Sequence, residues 1–452
     1  MKNWKTYFLA GLIALSGFSC TKQSSNRPNI MILLIDTLRA DHLADYDYYR
    51  LTDPFLSEFG KRGIRFARAY SQSSHTKVAT TSLFTGLLPP FHKVRRAGHP
   101  SLENKNRIMS DVLSEDLITL PEVLKKAGYI TGAFVTNPHL RPFFGFDQGF
   151  DTYQYLDSST RAEVLNNTVL RWLRRQPKNR AFFVYVHYMD VHEPYNPPRE
   201  YTTLYINEMV KMVKIYQFNG PWRWKEPPDK KSIYYTIALY DAQINYWDDC
   251  FKRFISQLEN EGFLKNTLLI IIADHGEEFY EHGGFGHGYT LYEEQLHIPL
   301  YMFFEDVIQP NQIWDDMVQT VDIFPTVCYF AKIDCSDLKL FGQNIFDKNR
   351  KKDLFVYSET YRGIVPRSIR TDRYKVIFRA LVQEREVFTL QKILQGAIDG
   401  RKYIEFYDLK TDSKEKINIY TPSNTTARQL LEKMYEILYE GQKNRHLQTG
   451  GA

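Results

Sequence analysis

The sequence predicts an α/β fold: a mixed, mostly parallel sheet between helices, followed by a small carboxyl-terminal antiparallel sheet and a closing helix. Three observations carry this expectation. Runs at Asn29–Ile35, Tyr129–Val135, Ala181–Val186 and Thr267–Ile272 are short and predominantly apolar, as strands covered on both faces are. Each run empties into metal-capable or hydrogen-bonding side chains: Asp36; Thr136-Asn137-Pro138-His139; His187 with Asp190 and His192 beyond; and Ala273-Asp274-His275-Gly276-Glu277-Glu278. Ligands of open α/β sheets gather outside the carboxyl ends of the strands, so four such endings point to one site on one edge. The third observation is a helix. Tyr240, Ile244, Trp247, Phe251, Phe254 and Leu258 recur in steps of four and three, an apolar face that ends before Gly262 and packs on the sheet.

Taken in order, the chain opens with Lys2 and Lys5 ahead of an apolar stretch from Tyr7 to Phe18. That stretch is too short for a mature membrane span and has the form of a signal peptide. Cys20 follows Gly17-Phe18-Ser19, a loose version of a lipoprotein processing site. Residues 1–20 therefore read as signal peptide and lipidation site, and 21–27 as a polar tether. The expected location is outside the cytoplasm, in the periplasm or at the cell surface, anchored to the membrane through an amino-terminal lipid. Residues 28–348 form the main domain, and the charged stretch Lys348–Asp353 marks the boundary to a smaller unit, 349–445. Strands at Leu354–Ser358, Ser368–Phe378 and Tyr403–Asp408, then a helix from Thr426 to Leu438, build that unit. An aromatic-rich insertion at 199–232, with Tyr201, Tyr205, Tyr216, Phe218, Trp222 and Trp224, interrupts the main domain. Long insertions in compact domains often act as lids, and a surface excursion is the alternative.

Composition sets bounds. The 452 residues suffice for a large core plus a smaller one. The net charge of +5 is spread along the chain, and no basic run suggests a nucleic-acid partner. With four cysteines there is no disulfide framework. Cys20 reads as a modification site, Cys328 and Cys335 can pair after export, and Cys250 is expected as a buried helical thiol.

The chain resembles the sulfatase family of the alkaline phosphatase superfamily. The resemblance rests on Arg27-Pro28-Asn29, Asp36-Thr37-Leu38-Arg39-Ala40-Asp41-His42-Leu43, Ser82-Leu83-Phe84-Thr85-Gly86 and Thr119–Tyr129. It continues through Phe144–Asp151, His187-Tyr188-Met189-Asp190-Val191-His192-Glu193-Pro194-Tyr195 and Gly286–Glu294, more than 300 residues in the family's order. Sulfatases carry a Cys or Ser in a C/S-x-P-x-R signature that is oxidised to formylglycine, ten residues before the Gly of a Thr-Gly pair. Here that count from Gly86 reaches Thr76, and the signature reads Thr76-Lys77-Val78-Ala79-Thr80. The oxidisable residue, the proline and the arginine are all replaced. A threonine at this place resembles the phosphoethanolamine and phosphoglycerol transferases of the same superfamily, where it is both nucleophile and metal ligand.

The resemblance implies a metal-dependent hydrolase of sulfate or phosphate esters with Thr76 as nucleophile. Asp36, Thr76, Asp274 and His275 would hold one divalent ion, and an imidazole beside carboxylates suits Zn or Mn better than Ca or Mg. Thr37 stands where sulfatases present a further acid. A threonine needs a base or a metal to become nucleophilic, and the helix expected over Lys77–Phe84 turns its amino end toward an anionic group. An ordinary helix cap is the plainer role for Thr76. His192 and His287 are expected to contact the oxygens of the transferred group, with His192 able to protonate the leaving group. Asn137 falls near a family segment whose lysine is absent here, and is expected to bind substrate. His282 and His297 are expected to be structural. Two other functions fit the same residues: a transferase or phosphodiesterase of the phosphoethanolamine type, and a non-catalytic binding lipoprotein.

Overall fold

The computed structural model describes residues 27–95, 111–206, 228–351, 355–361, 365–380, 386–396 and 399–443. Eight strands form the large sheet: β1 (Asn29–Ile35), β2 (Ile64–Phe66), β3 (Ile130–Val135), β4 (Thr152–Tyr155), β5 (Phe182–Tyr188), β6 (Thr267–Ile272), β7 (Leu300–Phe303) and β8 (Gln312–Trp314). They lie in the order β8-β2-β7-β6-β1-β5-β3-β4. The run β6-β1-β5-β3-β4 is parallel throughout, and β7 is antiparallel to both of its neighbours. The expected mixed, mostly parallel sheet is present. Its centre is dry: Ile30 to Ile35 of β1 are fully buried, as are Ile270 and Ile271 of β6.

Helices covering this sheet include α1 (Thr76–Thr85), α2 (Leu120–Lys126), α3 (Ala162–Leu173), α4 (Lys230–Asn260) and α5 (Ile323–Ala331). Helix α4 begins at an Asp229 cap that accepts from the Ser232 amide, and its 31 residues bury the expected face from Tyr240 to Leu258. Trp247 and Phe251 stack there at 5.1 Å. Burying each such side chain contributes about 2 kcal/mol, so the face holds the helix against the sheet. Of the aromatic insertion, a helix at Arg199–Tyr205 is described, while 207–227 lie outside the described residues, and so does most of the expected lid. Residues 1–26, including Cys20, also lie outside them. No helix among the described residues is long and apolar enough to cross a membrane.

The carboxyl-terminal part is an antiparallel sheet of β9 (Val356–Glu359), β10 (Val365–Arg370), β11 (Tyr374–Ala380) and β12 (Ile404–Asp408), closed by α6 (Thr425–Lys443). The single strand expected at Ser368–Phe378 is the middle of a hairpin. Its turn, Thr371-Asp372-Arg373, is closed by the Thr371 amide donating to the Tyr374 carbonyl at 2.8 Å. A second core joins Ile369, Val376, Phe378 and Phe406 of this sheet and Leu431, Met434 and Leu438 of α6 to Leu87, Leu88 and Phe91, just behind α1. Cys328 and Cys335 are free thiols that share a hydrogen bond, and Cys250 is a buried thiol in α4.

Candidate active site

The register of the central strands decides which side chains meet. Leu34 of β1 lies beside both Ile272 of β6 and His187 of β5, and His187 lies beside Val135 of β3. Each strand then releases its polar residues at one level: Asp274 and His275 after β6, Asp36 after β1, His187 within the end of β5, and Asn137 after β3. Thr76 reaches them from above as the first residue of α1. The cap of that helix is His75, whose side chain accepts from the Lys77 amide, so the Thr76 hydroxyl is left for the sheet edge.

All these groups are buried, and their contacts converge. The Thr76 hydroxyl donates to Asp36 Oδ2 at 3.4 Å and lies 3.3 Å from His275 Nε2. Asn137 Nδ2 donates to Asp36 Oδ2 at 2.6 Å and to Thr76 Oγ1 at 3.3 Å. His187 Nε2 lies 3.0 Å from the same Asp36 oxygen, and Tyr185 Oη sits 2.8 Å from its Nδ1. His275 Nδ1 donates to the Gly276 carbonyl at 2.9 Å, which leaves the Nε2 lone pair facing Thr76 and the carboxylates. Gly276 is required beside it, because a Cβ there would collide with the carbonyl of Glu294.

The loop after β1 is fastened in an unusual backbone. Thr37 has φ of 59°, a left-handed conformation that a β-branched residue rarely adopts. The Tyr240 hydroxyl of α4 donates to the Thr37 carbonyl at 2.7 Å and accepts from the Arg39 amide at 2.9 Å. The Thr37 amide in turn donates to Asp274 Oδ1 at 3.3 Å.

One oxygen of each carboxylate is satisfied and the other is bare. Asp36 Oδ2 collects three contacts and Asp274 Oδ1 takes the amides of Thr37 and His275, yet Asp36 Oδ1 and Asp274 Oδ2 have no hydrogen-bond partner among the described residues. Both bare oxygens face His275 Nε2, at 3.8 and 3.4 Å. Buried unpartnered carboxylate oxygens are costly and rare, so this donor set fits a cation. Asp36, His187 and Asp274 also offer atoms within 4.8 Å of one another. Since His187 is spent on the satisfied oxygen of Asp36, the bare oxygens favour His275 as the nitrogen donor. Burial alone would raise the Asp36 carboxyl, but the His187 hydrogen bond and the fields of His192, His187 and His275 hold it well below the usual carboxylate range. Asp274 is pushed up by burial and by the negative charge of Asp36.

His192 and His287 complete the rim. The His287 ring lies 4.6 Å from that of His275 and 4.9 Å from that of His192. His192 Nδ1 donates to the Glu193 carbonyl at 2.6 Å. His287 Nδ1 meets Glu277 Oε1 at 3.0 Å, and the other Glu277 oxygen accepts from Tyr195 Oη at 2.9 Å. Burial, and then the nearby charge of Glu193, push the Glu277 carboxyl well above its ordinary value. Beyond His192 opens a cavity of about 310 Å³ whose walls include Ser159, Arg161, Asp190, Glu193, Gln243 and Tyr246.

The structure thus brings together Asp36, Thr76, Asn137, Asp274 and His275, with His192 and His287 alongside. Asn137 contacts the nucleophile candidate and Asp36 directly. His282, against Glu294, and His297, against the Ala67 carbonyl, lie elsewhere. His187 and Glu277 stand among the strand endings expected at this edge but carry no role in that expectation, and neither does Tyr195. His187 had a signal, its place at the end of a buried strand; Glu277 and Tyr195 had none beyond adjacency to motif residues.

A model of the sulfatase family matches residues 28–333, and one of the N-sulphoglucosamine sulphohydrolase carboxyl-terminal region matches 280–396. An arylsulfatase of Clostridium perfringens is 22% identical over 371 residues, covering 69% of this chain and 76% of its own. An N-acetylglucosamine-6-O-sulfatase of Bacteroides thetaiotaomicron is 21% identical, covering 98% and 92%. Among solved structures, BT4656 in complex with its substrate D-glucosamine-2-N,6-O-disulfate superposes with a TM-score of 0.73 at 16% identity, covering 94% of this chain and all (100%) of that one. The phosphonate monoester hydrolase of Agrobacterium radiobacter gives 0.69 at 17% identity, with 92% and 96% covered.

Proposed function

The chain belongs to the sulfatase family and is a hydrolase of that class, and from this premise we propose that it cleaves sulfate or phosphate esters outside the cytoplasm with Thr76 as nucleophile. The observation that carries the proposal is the meeting of the Thr76 hydroxyl with Asp36 and His275, beside two bare carboxylate oxygens. Asp36, Asp274, His275 and Thr76 would hold one divalent cation, Zn or Mn in preference to Ca or Mg. When bound, it supplies Lewis-acid chemistry that lowers the hydroxyl pKa and polarises the ester. Asn137 fixes Thr76 against Asp36 by donating to both. The Thr76 hydroxyl gives up its proton to solvent, its Oγ attacks sulfur or phosphorus, the bond to the ester oxygen breaks, and a protonated His192 delivers a proton to the departing alcohol. His287, held by Glu277, donates to the oxygens that gain charge. Water then hydrolyses the threonine ester and frees the enzyme. The departing alcohol sits in the polar cavity beyond His192, which suits a hydroxyl-rich group such as the sugar of the sulfated substrates named for its relatives.

Thr76 favours phosphorus over sulfur. Its carbon bears one hydroxyl, so release requires water at the esterified centre, a step that phosphate esters of alcohols undergo more readily than sulfate esters. Export as a lipoprotein modified at Cys20 belongs to the same proposal, resting on the leader's composition. The test is turnover of aryl sulfate, phosphate monoester, diester and phosphonate substrates by the purified protein with Zn, Mn, Ca and Mg. Hydrolysis of one class that depends on Thr76 is expected; turnover of aryl sulfate alone would overturn the preference for phosphorus.

A further inference from the structure

The edge of the sheet opposite the active site gathers positive charge that is scattered in sequence. Arg27, Lys178, Arg180, Lys265 and Glu261 line a cleft of about 370 Å³ where the chain enters the fold. The Asn266 side chain donates to the Arg27 carbonyl at 3.2 Å, and Asn29 pairs with the Asn266 carbonyl at 2.8 Å, so the first described residues are fastened there. Arg174 and Arg175 follow directly on the end of α3, and Arg174 clasps Glu261, which lines the cleft, at 2.6 and 2.8 Å. Arg175, Lys178 and Lys265 are exposed and form no ion pair among the described residues. Six cations against one carboxylate leave an excess of five, equal to the formal net charge of +5 of all 452 residues.

We infer that this face docks on an anionic phospholipid bilayer. The seven residues from Thr21 to Arg27 span at most about 25 Å when extended, so a lipid on Cys20 would hold the cleft at the membrane surface, where basic residues gain from anionic headgroups. That setting rests on the lipoprotein reading; the charge does not. Strand β1 rises about 20 Å from Asn29 to Ile35, which points the catalytic edge away from the bilayer and toward solvent. A sulfated polysaccharide is the other polyanion that fits basic charge, but as substrate it belongs at the catalytic edge, on the opposite side.

The experiment is sedimentation of the unlipidated chain from Thr21 onward, without the apolar leader, with phosphatidylcholine vesicles, with and without about 30 mol% phosphatidylglycerol, at low and high salt. Retention by the anionic vesicles alone is expected, lost at about 0.5 M salt. Adding Lys178→Glu, Arg180→Glu and Lys265→Glu should weaken vesicle binding more than tenfold and leave turnover of a soluble substrate unchanged. Equal retention by both vesicle types, or undiminished binding of the reversed variant, would overturn the inference. So would loss of heparin binding in that variant with vesicle binding intact. Because the readout is lipid binding, a failure here leaves the ester-cleavage proposal to its own assay.

Discussion

Replacing Thr76 by alanine should separate catalysis from folding by a wide margin. The hydroxyl makes three contacts, of 3.3, 3.3 and 3.4 Å, all at the long end of hydrogen-bond geometry. Losing them should cost about 1–2 kcal/mol of stability in total, a few degrees at most in a protein of this size. Removing an attacking oxygen is a different order of effect, at least about a thousandfold in kcat, or about 4 kcal/mol of barrier. Thr76→Ser keeps the oxygen and should retain measurable turnover, with part lost to the freer rotamer. Thr76→Cys should not gain sulfatase activity beside a maturation enzyme, because Val78 and Thr80 replace the proline and arginine such enzymes read. The assay is kcat on the best substrate beside a thermal melt of each variant. If Thr76→Ala folds and turns over within about threefold of the parent, the nucleophile is a water and the proposed mechanism is wrong.

Four further outcomes follow from the geometry. Asp274→Asn relieves repulsion from Asp36, so the metal-free variant should melt no lower than the parent. It should lose the added stability, about 2.7 kcal/mol at a hundredfold excess over Kd, that Zn or Mn gives; a parental metal response would remove Asp274 from the ligand set. Tyr240→Phe unfastens the Thr37 carbonyl and the Arg39 amide, and should cost about 1–3 kcal/mol by denaturant unfolding. Gly276→Ala forces a Cβ into the Glu294 carbonyl beside His275; it should destabilise by about 2–4 kcal/mol and depress metal affinity, and a neutral result would mean the loop yields freely. For Glu293, burial is outweighed by Arg370 and then Lys375, which lower its pKa from 4.5 to about 2. A depressed carboxylate contributes stability above its unfolded pKa that is lost as pH falls through the folded one. Glu293→Gln should therefore cost up to about 3 kcal/mol at pH 7, with the two melting curves converging between pH 4.5 and 2.

Much of the architecture was readable because strands buried on both faces cannot hide their polar endings. Asp36 and Asp274 follow nearly unbroken apolar runs and Asn137 a predominantly apolar one, and the depth of β1, β3 and β6 turned those endings into one edge. Thr76 was reached only through the family resemblance, since a threonine opening a helix looks like any cap; the observed cap, His75, frees it. His187 was visible at a strand end but not placed, because the pattern does not say which of His187, Asp190 and His192 turns inward. The register resolves it: Asp190 instead accepts from the Ala162 amide at the start of α3, at 2.9 Å. The β10–β11 hairpin read as one strand because its turn contains neither glycine nor proline. The basic face was invisible for another reason: its charges come from segments at 27, 174–180 and 265, and read along the chain they look evenly spread.

The two carboxylates stand on neighbouring strands that the chain brings together from far apart. Asn29 of β1 pairs with Thr267 of β6 across 238 residues, and Asp36 meets His187 across 151. Closing the longer of these loops costs about 5 kcal/mol of chain entropy, and juxtaposing Asp36 and Asp274 adds repulsion to it. Neither penalty is met locally, since Asp274 and His275 are the sole neighbours in sequence within the set. The apolar residues of β1 and β6 must therefore drive the encounter. A cation cannot nucleate this fold; it can only lock a sheet that has already formed, so refolding rates should be indifferent to metal while unfolding slows when it is present.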